Sequence, residues 1–147
     1  MTTDEELGLE RFVLAQDAGG TYLRALEEIR RGAKRSHWMW FVFPQLKGLG
    51  SSEMARRYAL AGLAEAKAYL DHPVLGARLE ECAAALLGLT GRGAGQVFGD
   101  IDAKKLRSSM TLFKMAAGPG SPYSRVLDRY FDGEEDPRTV EALTGGG

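Results

Sequence analysis

The sequence predicts a mainly α protein, a compact single-domain bundle of about seven to eight helices formed by residues 1–147. The chain is long enough for one self-sufficient core, and its 44% hydrophobic and 27% charged residues are typical of a globular protein. Apolar residues recur at intervals of three and four along most of the chain, which is the helical period. A β-like composition occurs only in "MWFVF", residues 39–43, and this run also fits a short buried helix. We expect residues 1–7 and 144–147 to be frayed.

The N-terminal half predicts four helices, each supported by apolar spacing or by a boundary residue. Glycine and proline mark the ends of two of them, because glycine adopts left-handed backbone conformations and proline cannot continue a helix. The four are a helix with Leu9, Phe12, Val13 and Gln16 on one face; a helix with Tyr22, Leu26 and Ile29, ended by Gly32; a helix through "EMARRYAL", capped by Ser51 or Ser52; and a helix through "GLAEAKAYLDH", ended by Pro73.

The C-terminal half predicts four more helices by the same signals. Apolar stripes identify the helices, and capping aspartates and glycine-rich breaks mark where they begin and end. They are a helix with Leu75, Leu79, Cys82, Ala83 and Leu86 on one face, closed by "GLTGRGAG"; a helix through "AKKLRSSMTLFKMAA", capped by Asp102; a helix with Tyr123, Val126, Leu127, Tyr130 and Phe131, ended by Gly133; and a short helix opened by Asp136 and Pro137.

The composition excludes several classes of protein and site. One cysteine, Cys82, cannot form an internal disulfide, and its place on an apolar helix face predicts an inert core thiol. The two histidines show no metal-ligand spacing, and "GLTGRGAG" lacks the Gly-Lys-Ser/Thr ending of a phosphate loop, so we predict no metal and no cofactor. No apolar run approaches the roughly 18–20 residues of a membrane helix, and the acidic N-terminus is unlike a secretory signal. These features predict a cytoplasmic protein without a membrane partner.

Charge is distributed unevenly along the chain. The net charge is −1, but residues 24–57 carry eight basic side chains against three acidic ones. This local excess suits a small anionic ligand, although a solvated surface of mixed charge would look the same. The neutral net charge makes nucleic acid a possible but less favoured partner. The sequence leaves the oligomeric state open.

The first candidate site is the aromatic run within "KRSHWMWFVFPQLKG", residues 34–48. On a helix its apolar side chains would surround the axis, so the segment is either buried core or the wall of a cleft. As a cleft wall, Trp38 or Trp40 would stack on a ring of the ligand, and His37 could carry a proton near neutral pH. Arg35 and Gln45 flank the run and are further ligand-binding candidates.

The second candidate site is the helix through "DIDAKKLRSSMTLFKMAA". Leu106, Met110, Phe113 and Ala117 form its predicted core face, and cations and hydroxyls follow a neighbouring stripe near the helix N-terminus. Such a stripe suits a phosphate, although an exposed helix face would share this composition. Two serines in mid-helix favour the functional interpretation, because serine lowers helix propensity. The stripe consists of Lys104, Arg107, Ser108 and Thr111. The ligand-binding candidates of this helix are Lys105, Arg107, Ser108, Ser109 and Thr111.

The third candidate site lies in "SSEMARRY". Arg56 and Arg57 are adjacent and therefore point to different faces of a helix, so one of them could reach the ligand. Glu53 either pairs with one of these arginines on the surface or faces the cleft as an acid–base group. Together with Asp102 and His37, Glu53 completes the predicted catalytic set.

Four long stretches resemble one bacterial family of unknown function, DUF1810, whose members are sometimes labelled calpastatin. They are "RSHWMWFVFPQLKGLG", "SSEMARRYALAGLAEAKAYLDHPVLGARLEEC", "FGDIDAKKLRSSMTLF" and "VLDRYFDGEEDPRTVEAL". The resemblance implies a small, mainly helical domain without an established activity. The calpastatin label implies a disordered calpain inhibitor, which does not fit this globular composition.

A second resemblance is to NADAR, the family that handles NAD-derived and ADP-ribosylated molecules. It is carried by "SSEMARRYALAGLAEAKAYL" and "KKLRSSMTLFKMAA", in which Glu53, residues 64–67 and residues 105–110 match the three family elements in order. It implies removal of ADP-ribose from guanine or hydrolysis of another N-glycosidic bond. We therefore expect a binder or N-glycosidic hydrolase of an ADP-ribose-like or nucleotide-like ligand; the alternative is a non-catalytic module for nucleic acid or protein.

Overall fold

Short capping and breaking signals divide the chain into helices, as the sequence predicts. The computed structural model describes residues 8–145, and within them the structure is all α. Residues 8–145 contain seven α-helices of eight or more residues, two short α-helices of four and five residues, and a 3-10 helix at Ala18–Gly20. The elements are α1 (Glu10–Asp17), α2 (Thr21–Arg31), α3 (Met39–Val42), α4 (Glu53–Arg57), α5 (Leu63–Asp71), α6 (Leu75–Leu87), α7 (Ala94–Ala117), α8 (Pro122–Phe131) and α9 (Pro137–Thr144).

Several predicted boundaries are confirmed by the capping geometry. Ser52 caps α4 by accepting a hydrogen bond from the Ala55 amide at 3.1 Å, and Asp136 caps α9 with Pro137 in its first turn. Gly32 ends α2 with a left-handed backbone, φ 74°, which places its amide and that of Ala33 on the last carbonyls of the helix. The ambiguous "MWFVF" run forms the one-turn helix α3 rather than a strand.

The helix that contains Asp102 begins earlier than the sequence predicts. It starts at Ala94, and only the backbone of Gly99, at φ 80° and ψ 163°, interrupts its helical conformation. Glycine alone adopts this conformation without strain, which is why the break falls there. Asp102 therefore does not cap the helix; its carboxylate binds Lys34 and Lys105 instead, at 2.9 and 3.4 Å.

At the C-terminus, α9 extends to Thr144, whose hydroxyl donates to the Val140 carbonyl at 2.7 Å. The fraying of residues 144–147 stays a prediction, and residues 1–7 and 146–147 lie outside the described residues. One smaller expectation is wrong. Ala117 is exposed rather than part of the core face of α7.

Helix α7 is the centre of the packing. It contacts α5, α8 and α9, while α6 closes the other side against α2, α5 and α8. The core between them is rich in aromatic rings that meet edge-on or tilted, for example Tyr69 against Phe113 at 5.3 Å between centroids. No helix in residues 8–145 has the length and apolar character needed to cross a bilayer.

Cys82 is a fully buried member of this core. Burial raises the pKa of its thiol to about 12, although the neighbouring Tyr22 hydroxyl partly opposes the shift. Because only the thiolate attacks disulfide reagents, we expect Cys82 to react with Ellman's reagent at pH 8 at least about a hundredfold more slowly in the native protein than in urea. It is the chain's single cysteine, so the absorbance change reports this site alone. A native rate within tenfold of the unfolded rate would contradict this placement.

Candidate functional site

A cavity of about 500 Å³ lies where α3, α4, α7 and the start of α9 meet. We call it the first cavity. Its wall combines one indole ring, four cationic side chains and one carboxylate, together with small and apolar residues. The polar and aromatic members are Trp40, Gln45, Ser51, Ser52, Lys104, Lys105, Arg107, Ser108, Asp136 and Arg138.

The one-turn helix α3 explains why Trp40 reaches this cavity. Its other three residues, Met39, Phe41 and Val42, are buried in the core, which leaves Trp40 as the half-buried member of the turn. The Lys105 ammonium lies 5.0 Å from the centroid of a Trp40 ring, within the range of a cation–π contact. One face of the indole is thus already paired with a cation.

The second part of α7 supplies three of the four cations. The Arg107 guanidinium is held in place by the carbonyls of Glu134 and Glu135, at 3.0 and 2.8 Å. Lys105 is held by Asp102, whereas exposed Lys104 forms no ion pair within residues 8–145. The Ser108 hydroxyl donates to the Lys104 carbonyl at 3.1 Å, one turn earlier. Arg107 and Lys105 are therefore positioned by the protein, and Lys104 is available to an anion.

Helix α9 brings the fourth cation and the carboxylate, which the sequence did not predict as site residues. The Arg138 guanidinium donates to the Leu49 carbonyl at 3.2 Å and so joins α9 to the loop before α4. Both hydrogen bonds from Thr139 to Asp136 go to Oδ2, at 3.0 Å from the amide and 2.6 Å from the hydroxyl. The available signal was "DPRTV" alone, which predicts a helix start but not its tertiary neighbours.

A second cavity of about 570 Å³ adjoins the first. It shares Trp40, Ile101 and Lys105 with the first cavity, and it extends toward the loop before α3 and the Gly99 break. Its other polar members are Lys34, His37, Asp100 and Asp102. Here cations and carboxylates are equal in number, in contrast to the cationic first cavity.

Glu28, which no sequence pattern indicated as a site residue, is a buried carboxylate behind these cavities. It accepts hydrogen bonds from the Arg35 amide at 2.7 Å, the Ser36 amide at 3.0 Å, the Ser36 hydroxyl, and the Trp38 indole at 2.9 Å. Burial alone would raise the pKa of Glu28, but these donors outweigh it and lower the pKa to about 2. Glu28 thereby fixes the segment that leads to His37 and Trp40.

Seven of the predicted site residues line one or both cavities. Trp40, Gln45, Lys105, Arg107 and Ser108 are in the first cavity, and His37 and Asp102 are in the second. Two stretches that are about 60 residues apart in sequence, the aromatic run and the twin-serine helix, do meet. Their role in ligand binding stays a prediction.

Three predicted ligand-binding residues are instead buried in the core. Trp38, Ser109 and Thr111 expose no surface, so in this conformation they cannot contact a ligand. The Trp38 indole packs against Phe43 and Phe98, with centroids 6.2 and 6.3 Å away. Thr111 accepts from the Asp136 amide at 2.9 Å and thereby holds the start of α9 on α7. Helix α7 packs against α5, α8 and α9. A larger part of its surface is therefore buried than in an amphipathic helix that packs on one side only.

The remaining four predicted residues, Arg35, Glu53, Arg56 and Arg57, are exposed and line neither cavity. Helix α4 is only five residues long, and it is Ser52 and Ala55 that face the first cavity. Within the described part of the chain, no ion pair joins Glu53 to either arginine. Residues 8–145 also contain no group of three His, Cys, Asp or Glu side chains arranged to hold a metal ion.

Residues 6–143 match the family described as "Protein of unknown function (DUF1810)". The chain belongs to the DUF1810 family. It is also similar to a solved structure, the conserved hypothetical protein Rv1873 from Mycobacterium tuberculosis, with 49% sequence identity and a TM-score of 0.89; the match covers 93% of this chain and 96% of the other. No curated protein matches the chain. These matches give no support to the NADAR resemblance, which stays a prediction.

Proposed function

We propose that this DUF1810 protein binds a small anionic ligand with an aromatic ring, of the ADP-ribose-like or nucleotide-like class, in the first cavity. The observation that supports the proposal is the convergence of Trp40 with four cations on one cavity of about 500 Å³. This volume is in the range of small-molecule sites.

The residues of the cavity match the two parts of such a ligand. Guanidinium and ammonium groups form charge-assisted hydrogen bonds with phosphate oxygens, and Arg107 is already oriented by two backbone carbonyls. An indole that keeps part of its surface open offers a stacking platform for a base. The alternative of a nucleic-acid or protein module is less well supported, because the cations converge on a cavity and the net charge of the chain is −1.

Hydrolysis of an N-glycosidic bond is a second candidate function, favoured by Asp136 on the wall of the first cavity. In this reaction the bond between the anomeric carbon and the base nitrogen breaks, the hydroxyl of water joins that carbon, and the proton of water goes to the departing base. A neighbouring carboxylate stabilises the oxocarbenium-like transition state, accepts the proton of the attacking water and then passes it to the departing base. Both hydrogen bonds that Thr139 donates to Asp136 go to Oδ2, so Oδ1 is available to accept the proton of the attacking water. Glu53 lies outside the cavity, so Asp136 replaces it as the candidate.

Binding can be measured by titrating the protein with ADP-ribose and following tryptophan fluorescence. The chain has two tryptophans and Trp38 is sealed in the core, so a ligand-induced change reports Trp40. We expect a saturable change that weakens as salt is raised from 50 to 300 mM. Lys104→Gln should weaken binding about fivefold, the equivalent of about 1 kcal/mol for the loss of one solvent-exposed ion pair.

The matched control is Lys67→Gln, which removes an exposed lysine of α5 outside both cavities and should leave the affinity unchanged. No saturable response to ADP-ribose, NAD, AMP or ADP-ribosylated guanosine would refute the proposal. A single-stranded oligonucleotide that binds more tightly than all of them would favour the alternative module. Release of ADP-ribose and guanosine from ADP-ribosylated guanosine, abolished by Asp136→Asn, would establish the hydrolase.

A further inference from the structure

We infer that the ligand has two chemically different parts, a phosphate-bearing part in the first cavity and an uncharged, hydroxyl-bearing sugar in the second. This inference rests on the proposed function and goes further, because it favours the ADP-ribose-like class over the simple nucleotide. The observation that carries it is the presence of two adjoining cavities on either side of Lys105, one with an excess of cations and one with balanced charges.

The boundary between the cavities is open to a ligand. It is formed by Trp40, Ile101 and Lys105, and none of these three side chains is fully buried. Ile101 is 73% exposed, which is unusual for a large apolar side chain and places an unpartnered hydrophobic surface directly on the boundary. A molecule of nucleotide size can therefore cover this boundary and reach both cavities.

The charges of the two cavities differ in a way that assigns the two parts. The first cavity has four cations against one carboxylate, so it favours phosphate groups. In the second cavity, Lys34 and Lys105 are balanced by Asp100 and Asp102, and Asp102 binds both lysines. A second phosphate there would meet carboxylates and gain no net attraction.

The second cavity is nevertheless rich in hydrogen-bonding groups. Carboxylate oxygens accept from the hydroxyls of a sugar, and an exposed imidazole such as that of His37 can donate or accept. Asp100 and His37 form no ion pair within residues 8–145, so both are available to such hydroxyls. Vicinal hydroxyl groups satisfy this arrangement without bringing charge into the cavity.

The resulting arrangement places the base and the diphosphate in the first cavity, with the base against Trp40. The terminal sugar then passes Lys105 into the second cavity. Lys105 borders both cavities, so its ammonium can reach the last phosphate before the sugar. ADP lacks the terminal sugar and would leave the second cavity empty.

The test compares ADP-ribose with ADP by isothermal titration calorimetry. We expect wild-type protein to prefer ADP-ribose by about tenfold, even though ADP carries more negative charge. In the double variant His37→Ala, Asp100→Asn, which changes only exposed residues of the second cavity, this preference should fall to about twofold or less. Lys104→Gln, in the first cavity, should weaken both ligands and keep their ratio.

Each outcome separates this inference from the proposed function. If ADP binds as tightly as ADP-ribose to wild type, or if the double variant keeps the full preference, the two-part ligand is refuted while the proposed function stands. If neither compound binds, the inference fails; if NAD, AMP and ADP-ribosylated guanosine also fail to bind, the proposed function fails with it. Circular dichroism and Tm of the double variant show whether it folds as wild type, and a folded variant with an unchanged ratio counts against the inference.

Discussion

Glu28→Gln should lower the free energy of unfolding by about 3 kcal/mol at pH 7. The glutamate is 8% exposed, and its carboxylate is the common acceptor for two backbone amides, one hydroxyl and one indole. Glutamine keeps one acceptor oxygen but replaces the other with an NH₂ donor, so buried donors of residues 35–38 lose their partner. Hydrogen bonds to charged groups contribute about 1.5–3 kcal/mol, and an unsatisfied buried donor adds a desolvation penalty. Urea denaturation monitored by circular dichroism measures the loss.

The same substitution should remove a distinctive pH dependence. The pKa of Glu28 is about 2 in the folded protein against an ordinary 4.5, so folding favours its ionised form. For a depressed carboxyl pKa, the stabilisation is fully present above about pH 5 and is lost as the pH falls toward 2. The pKa difference corresponds to about 3 kcal/mol over that window. We expect the difference in unfolding free energy between wild type and Glu28→Gln to shrink progressively between pH 5 and pH 2.

Glu27→Gln is the matched control for both measurements. Glu27 is the preceding residue on the same helix, but it is exposed and pairs with exposed Arg31 at i+4, so its loss should cost no more than about 0.5 kcal/mol. Equal effects of the two substitutions would show that the Glu28 carboxylate does not organise residues 35–38.

Glu28 also connects stability to the candidate site. Its hydrogen bonds hold Ser36 and Trp38, which flank His37 and immediately precede α3. Trp40 is two residues further on, and its position at the boundary of the two cavities depends on how α3 is seated. We therefore regard Glu28 as a positioning residue, behind the site rather than in contact with a ligand.

The local signals of the sequence were sufficient for the fold class and for most helix boundaries. Ser52, Gly32 and Asp136 act through atoms within a few residues of themselves, so their effect can be predicted without knowing any tertiary contact. The start of α7 was mispredicted because Asp102 is a good capping residue by type, whereas its tertiary partner Lys34 is far away in sequence. A capping rule based on neighbouring residues does not include an ion pair with a residue that is distant in sequence.

The candidate site was predicted in part for the same reason. The aromatic run and the twin-serine helix were identified by composition, and they do line adjoining cavities. Which indole would be exposed was not predictable, because Trp38 is withdrawn into the core by its hydrogen bond to Glu28. Arg138 and Asp136 were missed because they join the cavity only through the packing of α9 on α7.

Gly76→Ala should destabilise the protein by about 3 kcal/mol, although alanine normally strengthens a helix. Gly76 lies in the first turn of α6 and is buried against the end of α5. A methyl group there would lie 2.0 Å from the Leu70 carbonyl oxygen and 2.9 Å from its carbon. These are backbone atoms, so no rotamer change relieves the clash and the two helices must separate. Overpacking of this kind costs roughly 1–3 kcal/mol or more.

Gly88→Ala is the control for Gly76→Ala. It tests whether the expected destabilisation comes from the close approach of the Leu70 backbone or from replacing a glycine as such. Gly88 ends the same helix with an ordinary right-handed backbone, φ −82° and ψ −12°, and an added methyl group would meet its nearest atoms at 3.5 and 3.6 Å. Alanine at this position should leave stability unchanged or raise it by up to about 1 kcal/mol, because it restricts the unfolded chain. Urea denaturation of both variants distinguishes the cases. If Gly76→Ala were as stable as Gly88→Ala, α5 and α6 could not be as closely packed as described. The packing of α5 against α7, which lines the first cavity, would then also be in question.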